Sequence, residues 1–209
     1  MIIGLLIHSI RNIFAGQNST MNQILFFGNS LTAGYGLRDA TNESFPALIQ
    51  QKINKVGIPF QVINAGISGD TSAGGLNRLD YWLSRPIKVF ILELGINDLM
   101  RGIPPPVTFV NLQAIIVKVK TRYPDCKLAL MGMELPRFIP GPMALAFRSI
   151  FPKLADTYHM AFFPFFLEGV AGAPHLNLND GIHPSAKGYQ IIADNVWPVI
   201  KPLLSIARK

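Results

Sequence analysis

The chain has 209 residues, 49% hydrophobic and 15% charged, a balance that excludes an intrinsically disordered protein and suits one domain with a sizeable core. Its formal net charge is +7, but the basic residues are scattered, which favours a solvated surface over a nucleic-acid site. A single cysteine, Cys126, excludes an internal disulfide framework and a multi-cysteine metal site. No apolar run approaches the roughly 20 residues of a transmembrane helix, so we expect no stable membrane span.

Residues 1–20 differ from the rest of the chain. An apolar stretch over residues 2–10 is interrupted by His8 and followed by Arg11. A signal peptide carries positive charge before its apolar region and small residues at its cleavage site; the first is missing here and Ala15 meets the second only weakly. We interpret residues 1–20 as an extension upstream of a start at Met21, which favours a cytoplasmic protein. A signal peptide, implying a periplasmic or secreted protein, and a membrane-anchoring stretch are the alternatives.

From residue 21 onward, short apolar runs alternate with helical patterns. The apolar runs predict strands buried on both faces, at 24–27, 60–64, 89–94, 128–131 and 160–163. Helices are predicted at 45–56, 75–83, 107–123, 143–158 and 184–204, the last with Pro184 in its first turn. This alternation predicts an α/β sandwich with a parallel sheet. Ligands of such folds bind in the loops that follow the carboxyl ends of the strands.

The loops after the first two predicted strands contain serine and glycine. Ser30 follows Gly28 and Asn29 at a tight strand-to-helix turn, where it could be an exposed nucleophile or merely a helix cap. The glycine-rich loop 64–71 could direct backbone N–H groups at an anion, although it fits neither the dinucleotide nor the P-loop spacing. It also brings rival nucleophiles, Ser68 and Ser72, and the chain contains no G-x-S-x-G elbow.

Two further loops offer an amide and an acid–base pair. Asn97 supplies an uncharged donor, and Asp98 can fix the same loop by accepting hydrogen bonds, although such residues also commonly make turns. Asp180 lies three residues before His183 and can fold back onto its ring, holding the tautomer and stabilising the imidazolium. We expect no metal, because no third and fourth ligand follow at useful spacing.

Together the four loops contain every group that acyl transfer requires. Ser30 is the candidate nucleophile, His183 the base and Asp180 the acid that orients it. Three donors could hold the oxyanion: the N–H of Ser30, the N–H of Gly66 and the side chain of Asn97. This chemistry needs no cofactor.

In these four blocks the chain resembles the SGNH (GDSL-type) hydrolases, whose blocks centre on Ser, Gly, Asn and His in this order. The resemblance runs from about residue 24 to residue 204. It is strongest to the bacterial multifunctional acyl-CoA thioesterase, arylesterase and lysophospholipase group, as judged from residues 92–98, 151–155, 164–166 and 180–184. The first block of the family usually reads Gly-Asp-Ser-Leu, and here Asn29 replaces the aspartate.

The resemblance implies a flavodoxin-like, three-layer α/β/α sandwich with a five-stranded parallel sheet in residues 21–209. The family positions fall on Ser30, Gly66, Asn97 and His183, with Asp180 as the triad acid. It also implies a serine esterase that hydrolyses carboxylic esters or thioesters, namely aryl esters, short- to medium-chain acyl esters or lysophospholipids. Candidate acyl-pocket residues are Met100, Ile103, Phe138, Ile139 and Met143. An acyltransferase or carbohydrate deacetylase at the same site, or a non-catalytic flavodoxin-like binding module, are the alternatives.

Overall fold

The computed structural model describes residues 21–133 and 141–205 of the chain. Five parallel strands form one sheet in the order β2-β1-β3-β4-β5. Their bounds are β1 Asn22–Gly28, β2 Phe60–Gly66, β3 Val89–Glu93, β4 Lys127–Met131 and β5 Ala161–Phe163. The five predicted strands and their parallel arrangement are therefore confirmed.

Eight α-helices occur in the described residues. They are α1 Ser30–Ala33, α2 Ala40–Glu43, α3 Phe45–Lys55, α4 Ser72–Trp82, α5 Ile96–Met100, α6 Pro105–Arg122, α7 Pro142–Tyr158 and α8 Ala186–Ile200. Short 3₁₀ segments occupy Pro174–Leu176 and Lys201–Leu204. None of the helices within 21–133 and 141–205 combines the length and apolar content needed to cross a membrane.

Consecutive residues of β1 show how the helices form two layers. Phe26 packs edge-on against Phe45 of α3, with ring centroids 4.9 Å apart. The Phe27 ring lies 4.0 Å from the guanidinium carbon of Arg78 on α4. Because neighbouring strand residues point to opposite faces, α3 and α4 cover opposite sides of the sheet. Helix α8 packs beside α3, and α6 and α7 continue the layer of α4. The expected three-layer sandwich is confirmed.

The expectation that every strand is buried on both faces is wrong at both edges of the sheet, for the partly buried β5 and more clearly for β2. This strand lies at one edge of the sheet, and several of its residues are exposed or half-buried. The side chain of Gln50 on α3 occupies the open edge: its Oε1 accepts from the N–H of Val62 (2.6 Å), and its Nε2 donates to the carbonyl of Phe60 (3.2 Å). An apolar run alone cannot distinguish an edge strand from a central one, because edge position is a property of the whole sheet.

The last helix also begins later than predicted. Pro184 lies outside α8, and Ser185 is its N-cap, accepting from the N–H of Gly188 at 3.3 Å. Pro184 instead forms an antiparallel bridge with Asn177, so that the segment before α8 folds back on itself. This fold-back supports the loop that carries His183, whose carbonyl accepts from the N–H of Leu178 at 2.7 Å.

The strand register places the predicted loops at one edge of the sheet. Gly28 at the end of β1 is paired with Gly66 at the end of β2 and with Glu93 at the end of β3. The loops that follow these three strands therefore start side by side, as the carboxyl ends of parallel strands must.

Candidate active site

Ser30, His183 and Asp180 form one chain of hydrogen bonds. Ser30 is the first residue of α1, and its Oγ lies 3.0 Å from His183 Nε2. The Nδ1 of His183 lies 2.6 Å from Asp180 Oδ2. A carboxylate can only accept, so Nδ1 carries the hydrogen and Nε2 is left to accept from the serine hydroxyl. This is the geometry of a nucleophile with its base and an orienting acid.

The carboxylate of Asp180 is fixed by its own loop. Its Oδ1 accepts from the backbone N–H of His183 at 3.0 Å and of Ile182 at 2.9 Å. The backbone bond from His183, the imidazole bond and the bond from Ile182 lower the pKa of Asp180 to about 2. Asp180 is therefore ionised throughout the neutral range and can stabilise a positive charge on His183.

The rival serines have no such base. Ser72 is buried at the start of α4, where its hydroxyl donates to Asp98 and accepts from Asn111 Nδ2 at 3.0 Å. Ser68 is exposed, and no hydrogen bond joins it to a histidine within the described residues. The tertiary structure thus separates Ser30 from the two alternatives that the sequence left open.

The predicted role of Gly66 as an oxyanion donor does not fit the structure. Its N–H already donates to Asn64 Oδ1 at 2.9 Å. Gly66 also packs so closely against α1 that a Cβ there would lie 2.2 Å from the nitrogen of Ala33. The glycine is needed for this approach of two backbones, and its donor is used within the fold.

The other two predicted donors are available. The N–H of Ser30, at the first position of α1, has no acceptor in the described part of the chain. Asn97 uses one amide hydrogen to bond the carbonyl of Asp70 at 2.9 Å, and its second hydrogen remains. This bond also ties Asn97 to the loop after β2.

That loop presents Gly69, which the sequence reasoning missed. The N–H of Asp70 donates to the carbonyl of Ile67 at 3.1 Å and closes a tight turn with Gly69 at φ +78°. The carbonyl of Gly69 accepts from Arg101 Nη2 at 2.7 Å, while its N–H has no acceptor among the described residues. The Gly69 N–H can be recognised as an available donor next to Asn97 only in the folded loop, because the sequence does not show which N–H groups are already bonded.

Asp98 and Arg78 hold these loops in place. The carboxylate of Asp98 accepts from the N–H of Ser72 at 2.8 Å, from the Ser72 hydroxyl and from Thr108 Oγ1 at 3.2 Å, so its predicted loop-fixing role is confirmed.

Arg78 bonds Asp70 Oδ2 at 2.7 Å and the carbonyls of Ala65 and Gly28 at 2.8 and 3.0 Å. One side chain thereby joins the ends of β1 and β2 to the loop of Gly69.

A small cleft of about 80 Å³ opens at the nucleophile. Its lining consists of Ser30, Leu31, Ile96, Asn97, Met100, Leu167, Ile182 and His183. Beside it, the ring of the exposed Tyr35 lies 4.7 Å from that of His183. A larger groove of about 670 Å³ between α4 and α6 is remote from these residues, so cavity size does not locate the site.

The structure places one of the predicted acyl-pocket residues at the cleft. Met100 lines the cleft, whereas Ile103 and Met143 do not. The N–H of Ile103 donates to the carbonyl of Asp98 at 2.9 Å, which turns the chain back after α5, and Met143 is exposed at the start of α7. Phe138 and Ile139 lie outside the described residues. The apolar residues that do line the cleft come from four separate segments, so sequence proximity could not have grouped them.

Within the described residues, no group of three or more His, Cys, Asp and Glu side chains is placed to hold a metal ion. The hydrogen-bonded serine, histidine and aspartate at the carboxyl edge of a parallel sheet are the arrangement of a serine hydrolase.

Comparison with known proteins identifies the family. The GDSL-like lipase/acylhydrolase family model matches residues 26–191. Esterase TesA of Pseudomonas aeruginosa is 37% identical over 190 residues, covering 90% of this chain and 92% of that protein. Thioesterase 1/protease 1/lysophospholipase L1 of Escherichia coli is 37% identical over 183 residues, covering 87% and 85%. The crystal structure of the psychrotrophic esterase EstA from Pseudoalteromonas sp., inhibited by monoethylphosphonate, matches with a TM-score of 0.79 and 33% identity, covering 88% and 98%.

The chain therefore belongs to the GDSL-like lipase/acylhydrolase family, and it is a carboxylic ester hydrolase. The resemblance predicted from the four sequence blocks is confirmed.

Proposed function

We propose that this esterase works through an acyl-enzyme on Ser30. His183 Nε2 takes the hydroxyl proton as Ser30 Oγ attacks the ester carbonyl, and the carbonyl π electrons move onto oxygen to give a tetrahedral oxyanion. When the intermediate collapses, the bond to the leaving group breaks and His183 returns the proton to that group. Water then attacks the acyl-enzyme by the same steps, releasing the carboxylic acid and the Ser30 hydroxyl. Asp180 orients the imidazole and stabilises its positive charge.

Three donors would hold the oxyanion in this scheme: the N–H groups of Ser30 and Gly69 and the second amide hydrogen of Asn97. Gly69 takes the place that the sequence had given to Gly66, because the Gly69 N–H is free and its turn is bonded to both Asn97 and Arg101. Such donors stabilise charge that develops in the transition state, since they are already oriented before the reaction starts.

The substrates that fit this site are esters and thioesters with a small acyl group at the reacting carbonyl. The cleft of about 80 Å³, as bounded by the described residues, is well below the roughly 300–1,000 Å³ of typical ligand pockets, which favours a small group next to the reacting carbon. Longer chains would extend over the exposed side chains of Met100 and Ile182 at its mouth. The names of the two relatives, an esterase and a thioesterase/lysophospholipase, are consistent with these substrate classes.

The observation that carries the proposal is the 3.0 Å contact between Ser30 Oγ and His183 Nε2, together with the 2.6 Å contact that orients the histidine. A serine-directed organophosphonate should label Ser30, with the adduct located by mass spectrometry. Ser68→Ala is the matched control, because Ser68 is an exposed serine of the neighbouring loop. Labelling that survives Ser30→Ala, or that disappears in Ser68→Ala, would refute the assignment.

A panel of p-nitrophenyl esters of increasing acyl length, with acyl-CoA and lysophospholipid alongside, tests the substrate class. We expect kcat/KM to be highest for short acyl chains and to fall as the chain outgrows the cleft. A maximum at long chains would show that the acyl group binds elsewhere. Product analysis with an added acceptor alcohol separates hydrolysis from acyl transfer.

A further inference from the structure

A buried polar cluster lies beneath the nucleophile, and no step of the proposed reaction uses it. Its members are Asn29, Thr32 and Glu93, each no more than 1% exposed. The carboxylate of Glu93 accepts three hydrogen bonds: from Thr32 Oγ1 at 2.7 Å, from Asn29 Nδ2 at 2.8 Å and from the N–H of Asn29 at 3.2 Å. A charged side chain at the end of a central strand is costly unless every polar atom is satisfied, so the cluster needs a physical reason.

The amide of Asn29 connects this carboxylate to the turn of Ser30. Its nitrogen donates to Glu93, and its oxygen accepts from the N–H of Leu31 at 2.9 Å and lies 3.5 Å from Ser30 Oγ. An amide that gives its nitrogen to one partner must give its oxygen to the other. The acceptor at Glu93 therefore determines which end of Asn29 faces the first turn of α1.

Few charged groups face Glu93. None of the ion pairs found among the described residues includes it. Burial, and after it the nearby charge of Glu93, raise the pKa of the Tyr189 hydroxyl on α8, which donates to the carbonyl of Leu31 at 2.9 Å. Arg78 on α4 bonds the carbonyl of Gly28. Burial raises the pKa of Glu93 to about 7, against the opposing effect of its three donors.

We infer that Glu93 is a positioning residue for Ser30. Because its carboxylate accepts from the Asn29 amide, it fixes the orientation of that amide and thereby holds the turn that contains Ser30 within reach of His183. This inference rests on the proposed role of Ser30. It assigns a task to a carboxylate outside the serine–histidine–aspartate set and gives the asparagine at position 29 a defined part in the turn.

The direction of the bond can be reversed by exchanging the two side-chain types. In Asn29→Asp, two carboxylates face each other across the 2.8 Å contact, so one proton must be retained between them. In Glu93→Gln, the new NH₂ group faces another donor whichever way the amide turns. It meets Asn29 Nδ2 in one orientation and the N–H of Asn29 in the other. In the double variant Asn29→Asp/Glu93→Gln, the new glutamine nitrogen donates to the new carboxylate in place of the original bond, and every other acceptor is preserved.

The test is a double-mutant cycle on one good ester, with kcat and KM measured between pH 5 and 9. We expect Glu93→Gln to lower kcat about tenfold at every pH, the effect of one buried donor left unpaired, with KM changed less than twofold. Asn29→Asp should stay within about tenfold of the wild type at neutral pH and lose activity as the pH rises and the shared proton leaves. The double variant should recover most of the kcat lost in Glu93→Gln and should not show the alkaline loss of Asn29→Asp.

Glu43→Gln is the matched control, because Glu43 is a half-buried carboxylate outside this cluster. The glutamine oxygen can still accept from the N–H of Asp39, as Glu43 does at 3.4 Å, so the whole profile should stay unchanged. A double variant no more active than the weaker single variant would overturn the inference, as would a normal kcat in Glu93→Gln. If Glu93→Gln does not fold, the Asn29→Asp profile decides, and an alkaline limb identical to the wild type would overturn it. A wild type with no esterase activity and no phosphonate label at Ser30 would instead refute the proposed function, and this inference with it.

Discussion

The side-chain amide of Asn97 has two hydrogens with different tasks. One bonds the carbonyl of Asp70 at 2.9 Å, and the other is available to an oxyanion. We expect Asn97→Ala to lower kcat by about 10²–10³ with little change in KM, because the lost donor acts mainly on the transition state.

Asn195→Ala is the control for that experiment. The Asn195 amide also donates to a backbone carbonyl, that of Glu168 at 3.0 Å, but Asn195 lies on α8 and does not line the cleft. Steady-state kinetics on one ester compares the two variants. If both leave kcat unchanged, Asn97 only shapes its turn.

His183 and Asp180 should give the enzyme an acid limb. Activity should fall as the pH drops and the imidazole becomes protonated, because protonated His183 cannot accept the proton of Ser30. Asp180 does not cause this limb, since its pKa of about 2 keeps it ionised throughout. A kcat/KM profile between pH 4 and 9 measures the effect, and a flat profile would argue against a histidine base.

Asp180→Asn tests whether the carboxylate of Asp180 fixes the tautomer of His183. Its amide oxygen can still accept from the N–H groups of Ile182 and His183, so the NH₂ group turns toward His183 Nδ1. That contact favours the tautomer with hydrogen on Nε2, which cannot accept from Ser30. We expect kcat to fall by about 10²–10⁴ at every pH.

At the scale of elements, the junction between β1 and α1 depends on Gly28. A Cβ at this position would lie 2.0 Å from Thr32 Oγ1 and 2.7 Å from Glu93 Oε2. Gly28→Ala should therefore cost about 1–3 kcal/mol of stability and move Ser30 away from His183, with a loss of kcat. Urea unfolding and kinetics on one ester measure both effects.

Gly57→Ala is the control for Gly28→Ala, because it should lower stability without changing activity. Gly57 has φ +67°, and apart from its chain neighbours no heavy atom of the described residues lies within 4 Å of the place a Cβ would take. It precedes the first residue of β2 and so lies near the amino ends of the parallel strands, whereas the site lies at their carboxyl ends. We expect a backbone strain of about 1–2 kcal/mol and normal kcat. Equal loss of kcat in both variants would mean that Gly28 affects activity only through stability.

For the whole molecule, Glu93 should make stability depend on pH. Its folded pKa of about 7 is raised above the ordinary value of 4.5, so the folded state holds the proton more tightly. Stability from this group is then full below pH 4.5, falls as the pH rises toward about 7 and is flat above it. The difference amounts to roughly 3 kcal/mol at 1.36 kcal/mol for each pH unit.

Urea unfolding of the wild type and Glu93→Gln from pH 4.5 to 8 isolates this effect, because other titrating groups cancel in the difference. The stability of the wild type relative to Glu93→Gln should decline with rising pH. A difference that does not vary with pH would show that folding leaves the pKa of Glu93 at its ordinary value.

A second prediction for the whole molecule concerns residues 1–20. All five strands and the four site loops lie after Met21. A shortened chain that begins at Met21 should therefore fold and keep its activity. Thermal unfolding and kcat/KM of the two forms test this, and a collapse of either on truncation would show that residues 1–20 stabilise the domain.

The sequence alone determined the alternation of strands and helices and the residues available for acyl transfer. Apolar periodicity reports burial locally, so the five strands were predicted to within a few residues of their bounds. Asp180 and His183 are close in sequence, and their contact follows from local loop geometry. The edge position of β2 depends on contacts between distant segments, and the start of α8 at Ala186 depends on the fold-back that pairs Pro184 with Asn177. At these two places the predictions were wrong.

Only the tertiary structure decided which hydrogen-bond donors are free and which side chains line the cleft. Gly66 and Gly69 stand in one loop and look alike in sequence, but Asn64 occupies the N–H of Gly66 and leaves that of Gly69 open. Glu93 meets Asn29 from 64 residues away, and the cleft gathers side chains from four segments. The physical reason is that a polar group is available for chemistry only if the fold has not already satisfied it, and its partners are assigned when the chain packs.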